Sequence, residues 1–111
     1  MKNTAWLFLI VAGLFEIAWT IGLKYTEGWT RLVPSVLTGI AMACSFFLLS
    51  NAIKTLPIGT AYAVWTGIGI VGAALFGILF LKETASLSKV FFILLILVGI
   101  LGLKLTTQEA N

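Results

Sequence analysis

The sequence predicts an all-α membrane protein with four transmembrane helices in each subunit, paired as an antiparallel, dual-topology homodimer. Three observations predict it. Of its 111 side chains 60% are hydrophobic, against roughly 45–50% in an ordinary soluble domain, and mean hydropathy is +1.12. Four apolar runs each approach or exceed the about 20 residues needed to cross a hydrocarbon core of about 30 Å. The few Lys and Arg residues divide almost evenly between the two ends of those runs.

The first run covers residues 4–23 and starts just after Lys2. It is too long for a signal-peptide core and lacks a convincing small-residue cleavage site, so it reads as a retained span. The second covers residues 33–53 and the third residues 58–81; Pro34 and Pro57 fall where these helices begin, a position that tolerates a missing backbone N–H. The fourth covers residues 88–105. Between them lie "KYTEGWTRL", "KTLP" and "KETASLS", connections too short for a further domain, so residues 1–111 form a single four-helix domain. A bilayer interior cannot satisfy open backbone groups, which makes these runs helices rather than open strands.

An even number of spans puts both termini on one side. That side collects Lys2, Lys54 and Lys104, and the other Lys24, Arg31, Lys82 and Lys89. Orientation follows the Lys/Arg bias across short loops, so a bias near zero predicts insertion both ways and an antiparallel pair. Unequal weighting of these lysines, giving one orientation, is the competing reading.

Several function classes are excluded. Net charge is +3 with no basic stripe, so no nucleic-acid partner is expected. One cysteine, Cys44, permits no internal disulfide, and with neither His nor Asp there is no metal-ligand cluster. No cofactor fingerprint is present, and nothing activates a nucleophile, so no enzyme is expected.

Glu16 breaks the first run. It lies about twelve residues in, ~18 Å deep at 1.5 Å per residue. A charge there costs about 2.5–3.5 kcal/mol by insertion scales, and such residues face a bundle interior or a wet cavity. Glu16 is therefore a candidate site; the structural alternative is a neutral carboxyl bonded across helices as packing glue. It shares a helix face with Leu9, Ala12, Gly13, Trp19, Thr20 and Leu23. Trp19, about one turn away, offers a wall and an indole donor.

In the third run Tyr62 and Trp65 stand at i and i+3, followed by Thr66, and could supply cation–π contact to a small cation. Gly67 and Gly69 serve as a conformational hinge or as plain helix packing. Ser45 is the deepest polar residue of the second run, although a mid-helix serine often bonds back to its own turn. Gly99 and Gly102, in an otherwise featureless fourth run, suit dimer packing. Lys104 reads as a snorkelling anchor.

With a lone membrane Glu in the first of four spans, "KYTEGWTRLVPS" in the first loop and "LPIGTAYAVWTGIG" entering the third, the chain resembles the small multidrug resistance transporters from about Trp6 to Lys104. "FEIAWTIGLKY", Ser45, "WTGIG" and the closing "GLKL" resemble the guanidinium-exporter branch more than the drug-exporter branch. The resemblance implies an antiparallel homodimer of the bacterial inner membrane that exchanges protons for guanidinium. It further implies Glu16 as the shared site for proton and substrate, surrounded by Gly13, Trp19, Ser45, Tyr62 and Trp65, with Trp19 and Ser45 as donors in a hydrogen-bond network. A broader exporter of quaternary ammonium ions and drugs, and a non-transporting membrane helper, are the competing functions.

Overall fold

A computed structural model describes residues 2–106, with the side chain of Lys2 left aside; Met1 and residues 107–111 of the expected domain lie outside the described residues. The chain folds into α1 (Lys2–Tyr25), α2 (Leu32–Ala52), α3 (Ile58–Phe80) and α4 (Leu87–Thr106). Each begins and ends within two residues of its expected span, and each is long and apolar enough to cross a membrane.

The boundaries have local causes. Pro34 sits at the third position of α2, where a backbone N–H would have no helical partner. Pro57 lies just outside α3 as its N-cap, with φ −58° and ψ 139°, so it precedes the helix rather than opening it. After α1 the chain reverses around Thr26, which is 1% exposed. Its hydroxyl donates to Leu23 O at 2.8 Å and accepts the Trp29 N–H at 3.1 Å. Glu27, Gly28 and Trp29 then run consecutively in the left-handed region, with φ of 49°, 75° and 69°.

After α3, Lys82 takes a left-handed φ of 60°, and the Glu83 N–H reaches back to Gly77 O at 3.0 Å. This is a C-terminal cap of the left-handed type. Glu83 lays its carboxylate over Gly77, where no side chain fits. Lys89 Nζ meets that carboxylate at 3.7 Å.

α1 is the centre of the packing. It lies against both α2 and α3, whereas α2 and α3 barely touch, and α4 packs mainly on α3. The order in space is thus α2, α1, α3, α4, an open arc rather than a closed bundle. Its extents of 43 × 36 × 17 Å describe a slab, consistent with helix neighbours about 8–10 Å apart in a row.

The core fills one end of this arc, with Ala5, Trp6, Leu9 and Ala12 of α1 meeting Ala52, Leu56, Ala61, Val64 and Trp65. Its alanines let the helices approach closely. Ala5, Leu9, Ala12 and Glu16 succeed one another at helical spacing, so the carboxylate continues the buried stripe of α1 directly.

α4 buries no residue. Gly99 and Gly102, expected to pack, have open space around them within the protomer. Lys104 does more than snorkel: its ammonium stands 5.2 Å from the centre of the buried Trp6 ring, which links the end of α4 to the start of α1 by a cation–π contact.

Candidate functional site

Glu16 is 8% exposed and its carboxyl group lies against the backbone of Gly69. A Cβ at Gly69 would stand 2.5 Å from Glu16 Cδ and 2.7 Å from Oε1, so only glycine leaves room for the carboxylate. Among the described residues the ion pairs are Arg31 with Glu27 and Lys89 with Glu83, both at loops; no basic side chain pairs with Glu16. Its Oε1 is buried without a hydrogen-bond partner.

Ser45 is fully buried and does not bond to its own turn. Its hydroxyl donates to Ala12 O at 2.7 Å and accepts the Trp65 indole N–H at 2.8 Å. By helix geometry the Ala12 carbonyl also receives the Glu16 N–H. A single chain of hydrogen bonds therefore joins α3, α2 and the turn of α1 that carries the carboxylate.

An aromatic row runs across the gap between α2 and α3. Trp19 and Phe46 have ring centres 6.1 Å apart, Phe46 and Trp65 5.8 Å, and Trp65 and Tyr62 5.6 Å. Phe46 is the member sequence reasoning missed; one phenylalanine among many in an apolar helix carries no signal beyond its place next to Ser45. Phe46 and Tyr62 are 45% and 58% exposed, so the row opens away from the packed core. The Trp19 indole N–H, expected as a donor, is buried and makes no hydrogen bond.

The glycines divide. Gly13 lies beside the site but faces α3, where a Cβ would stand 2.8 Å from three atoms of Ile68; it sets the α1–α3 spacing rather than lining the gap. Gly67 faces α4, with Ile100 Cδ1 at 2.9 Å from a built Cβ. α3 runs unbroken through Gly67 and Gly69. Gly99 and Gly102 lie apart from the site, on the open side of α4.

A separate groove of about 300 Å³ between α1 and α2 is lined by Ala18, Gly22, Pro34 and Thr38 among others. It occupies the side of α1 opposite Glu16 and has no charged group, so it holds none of the cation chemistry. Among the described residues no three His, Cys, Asp or Glu side chains come together as a metal site. What the Glu16 arrangement can do is bind one small cation, or a proton, at a carboxylate without a basic partner and beside an aromatic wall.

The family model for the Small Multidrug Resistance protein matches residues 4–96. A guanidinium exporter of Yersinia pseudotuberculosis serotype I is 58% identical over 103 residues, covering 93% of this chain and 99% of that protein. Guanidinium exporters of Citrobacter freundii and Salmonella typhimurium are each 58% identical over 104 residues, covering 94% of this chain and 99% of theirs. With four membrane-crossing helices, a buried carboxylate and relatives matched over nearly its whole length, the chain is a multi-pass membrane protein that belongs to the Small Multidrug Resistance family of transporters.

Proposed function

We propose that this protein exports guanidinium across the bacterial inner membrane in exchange for protons, as an antiparallel homodimer of single-domain subunits. The observation that carries the reading is Glu16, nine-tenths buried and without a basic partner beside Trp19 and the Trp65–Ser45 pair. The names of the relatives support guanidinium as the cargo.

Guanidinium is planar, and its N–H groups match a carboxylate in a two-pronged geometry. Two copies of Glu16, one per subunit, face it across the dimer and titrate as a coupled unit. Support for the dimer comes from the open arc, from α4, which buries nothing alone, and from the near-even Lys/Arg tally. Proton and cation exclude each other from the carboxylates. Exchange between inward- and outward-open shapes is fast when the carboxylates are neutralised by either ion and slow when both are bare, so an inward proton gradient drives the cation out. The two subunits trade conformations in each exchange, with Gly67 and Gly69 as the hinge of α3.

The test is guanidinium-driven proton movement in proteoliposomes with Glu16→Gln. Coupled transport is expected to vanish; retention at the wild-type rate refutes the assignment. The aromatic row, open at Phe46 and Tyr62, favours one second reading, a broader exporter of quaternary ammonium ions, and a tetra-alkylammonium gradient in the same vesicles separates the two.

A further inference from the structure

The α3 stripe that carries Tyr62 and Trp65 has another polar member. Thr66 lies four residues after Tyr62 and three before Gly69, so it stands on the same helix face, between the aromatic row and the backbone patch against which Glu16 rests. A threonine or serine inside a helix commonly donates to a carbonyl one turn back. Thr106 does so to Gly102 O at 2.7 Å and Ser50 to Phe47 O at 2.8 Å. Thr66 does not: its Oγ1 is buried and makes no hydrogen bond.

Two other buried polar atoms share that condition and belong to the same site, Glu16 Oε1 and Trp19 Nε1. The remaining one among the described residues, Ser35 Oγ, is in the first turns of α2, about 15 Å along that helix from Ser45 at 1.5 Å per residue. Three uncommitted polar atoms thus belong to residues of the Glu16 face of α1 and the Tyr62–Gly69 face of α3, while Ser45 and Trp65 are committed to each other.

Guanidinium carries N–H donors around its whole edge. Each Glu16 fork takes two of them, four across the proposed dimer, and the remaining two need oxygen acceptors in a dry site. Neither indole can accept. Ser45 Oγ already receives one hydrogen and gives its own to Ala12 O. Tyr62 is 58% exposed at the rim. We infer that the Thr66 hydroxyl accepts a guanidinium N–H beyond those held by Glu16, and so selects a donor-bearing cation over one of similar size without N–H groups. This rests on the guanidinium reading above.

The test is cation binding to the purified full-length protein, followed by tryptophan fluorescence, for wild type, Thr66→Val and Thr66→Ser, with guanidinium and tetramethylammonium as probes. Valine keeps the shape and removes the hydroxyl. Guanidinium Kd is expected to rise about tenfold in Thr66→Val, equivalent to ~1.4 kcal/mol, at the low end for a hydrogen bond to a charged group. Tetramethylammonium binding is unchanged, and Thr66→Ser restores guanidinium binding. The melting temperature of ligand-free Thr66→Val equals or exceeds wild type, because the hydroxyl removed had no partner to lose; a hydroxyl that served folding would show the opposite. Should the valine variant not fold, Thr66→Ala gives the same reading. An unchanged guanidinium Kd, a loss that serine does not restore, or equal weakening of both cations overturns the inference. Wild-type protein that binds tetramethylammonium but not guanidinium overturns the function on which it rests.

Discussion

Gly69→Ala isolates the position of the carboxylate from everything else in the site. A Cβ at this position would stand 2.5 Å from Glu16 Cδ, 2.7 Å from Oε1 and 2.9 Å from Cγ, whereas carbon atoms in contact rest about 3.5–4.0 Å apart. The carboxyl group must therefore withdraw by roughly 1 Å, and a displacement of that size at a binding centre costs on the order of 10²-fold. The helix itself gains, since alanine exceeds glycine by about 0.5–1 kcal/mol in a helix interior. The expected outcome is a protein at least as stable as wild type whose equilibrium guanidinium Kd, measured by isothermal calorimetry, rises by one to two orders of magnitude. Gly67→Ala is the control. Its Cβ would meet Ile100 and Ile96 of α4, so it should disturb α3–α4 packing and leave the binding constant within about threefold of wild type. Equilibrium binding rather than transport is the assay, because either substitution also stiffens the proposed hinge and slows turnover for that separate reason. Wild-type affinity in Gly69→Ala refutes the contact between Glu16 and α3 as a determinant of the site.

Ser45→Ala leaves the buried Trp65 indole N–H without its acceptor, a loss of about 1–3 kcal/mol. A lower melting temperature together with a weaker guanidinium affinity is expected, and an unchanged melting temperature argues against the Trp65–Ser45–Ala12 chain. Proton competition has a definite sign: protonating Glu16 removes the acceptor, so guanidinium binds less tightly as pH falls. Across the titration range of the pair, apparent Kd rises about tenfold per unit of acidification if one proton is displaced and about a hundredfold if two are. A flat Kd from roughly pH 5 to 9 contradicts a shared site.

The helices were legible because their ends are marked chemically. Apolar runs stop at Lys24, at Lys54 and Pro57, and at Lys82, and runs of about 20 apolar residues span a bilayer as helices because open backbone does not survive there. Glu16 stood out for the same reason, since a carboxylate that deep carries a cost and is by default a candidate site. Partners across helices were not legible. Which carbonyl Ser45 would reach depends on the rotation of α2 against α1, and periodicity fixes a helix face without naming its neighbour. Gly13 and Gly69 show the limit well. Both lie close to Glu16, yet Gly69 makes room for its carboxylate and Gly13 makes room for Ile68, a difference set by packing register. The openness of the arc was equally invisible, because α4 is as apolar as a buried helix but buries nothing within the protomer.

The polar groups of the site fall into a committed half and a free half, a division that in the proposed exchange would let one carboxylate serve two ions. Trp65, Ser45 and the Ala12 carbonyl are bonded in a chain, so the turn of α1 that bears Glu16 is held from α2, itself tied to α3, by bonds that neither ion needs to break. Glu16 Oε1, Trp19 Nε1 and Thr66 Oγ1 are buried and unbonded, at a cost of about 1–3 kcal/mol for each such atom. Folding has thus already met part of the desolvation cost that binding would otherwise incur, which is preorganisation in the usual sense. A proton engages only the carboxylate, whereas guanidinium can engage carboxylate and hydroxyl together. Exchanging one for the other changes the bonding of side-chain tips without asking the α1 backbone to move. In the proposed exchange the movement that opens one side and closes the other falls on α3, where it meets α4 at Gly67, Ile96 and Ile100, and on α4, which the protomer holds by its packing on α3, by the Lys89–Glu83 pair and by Lys104 over Trp6.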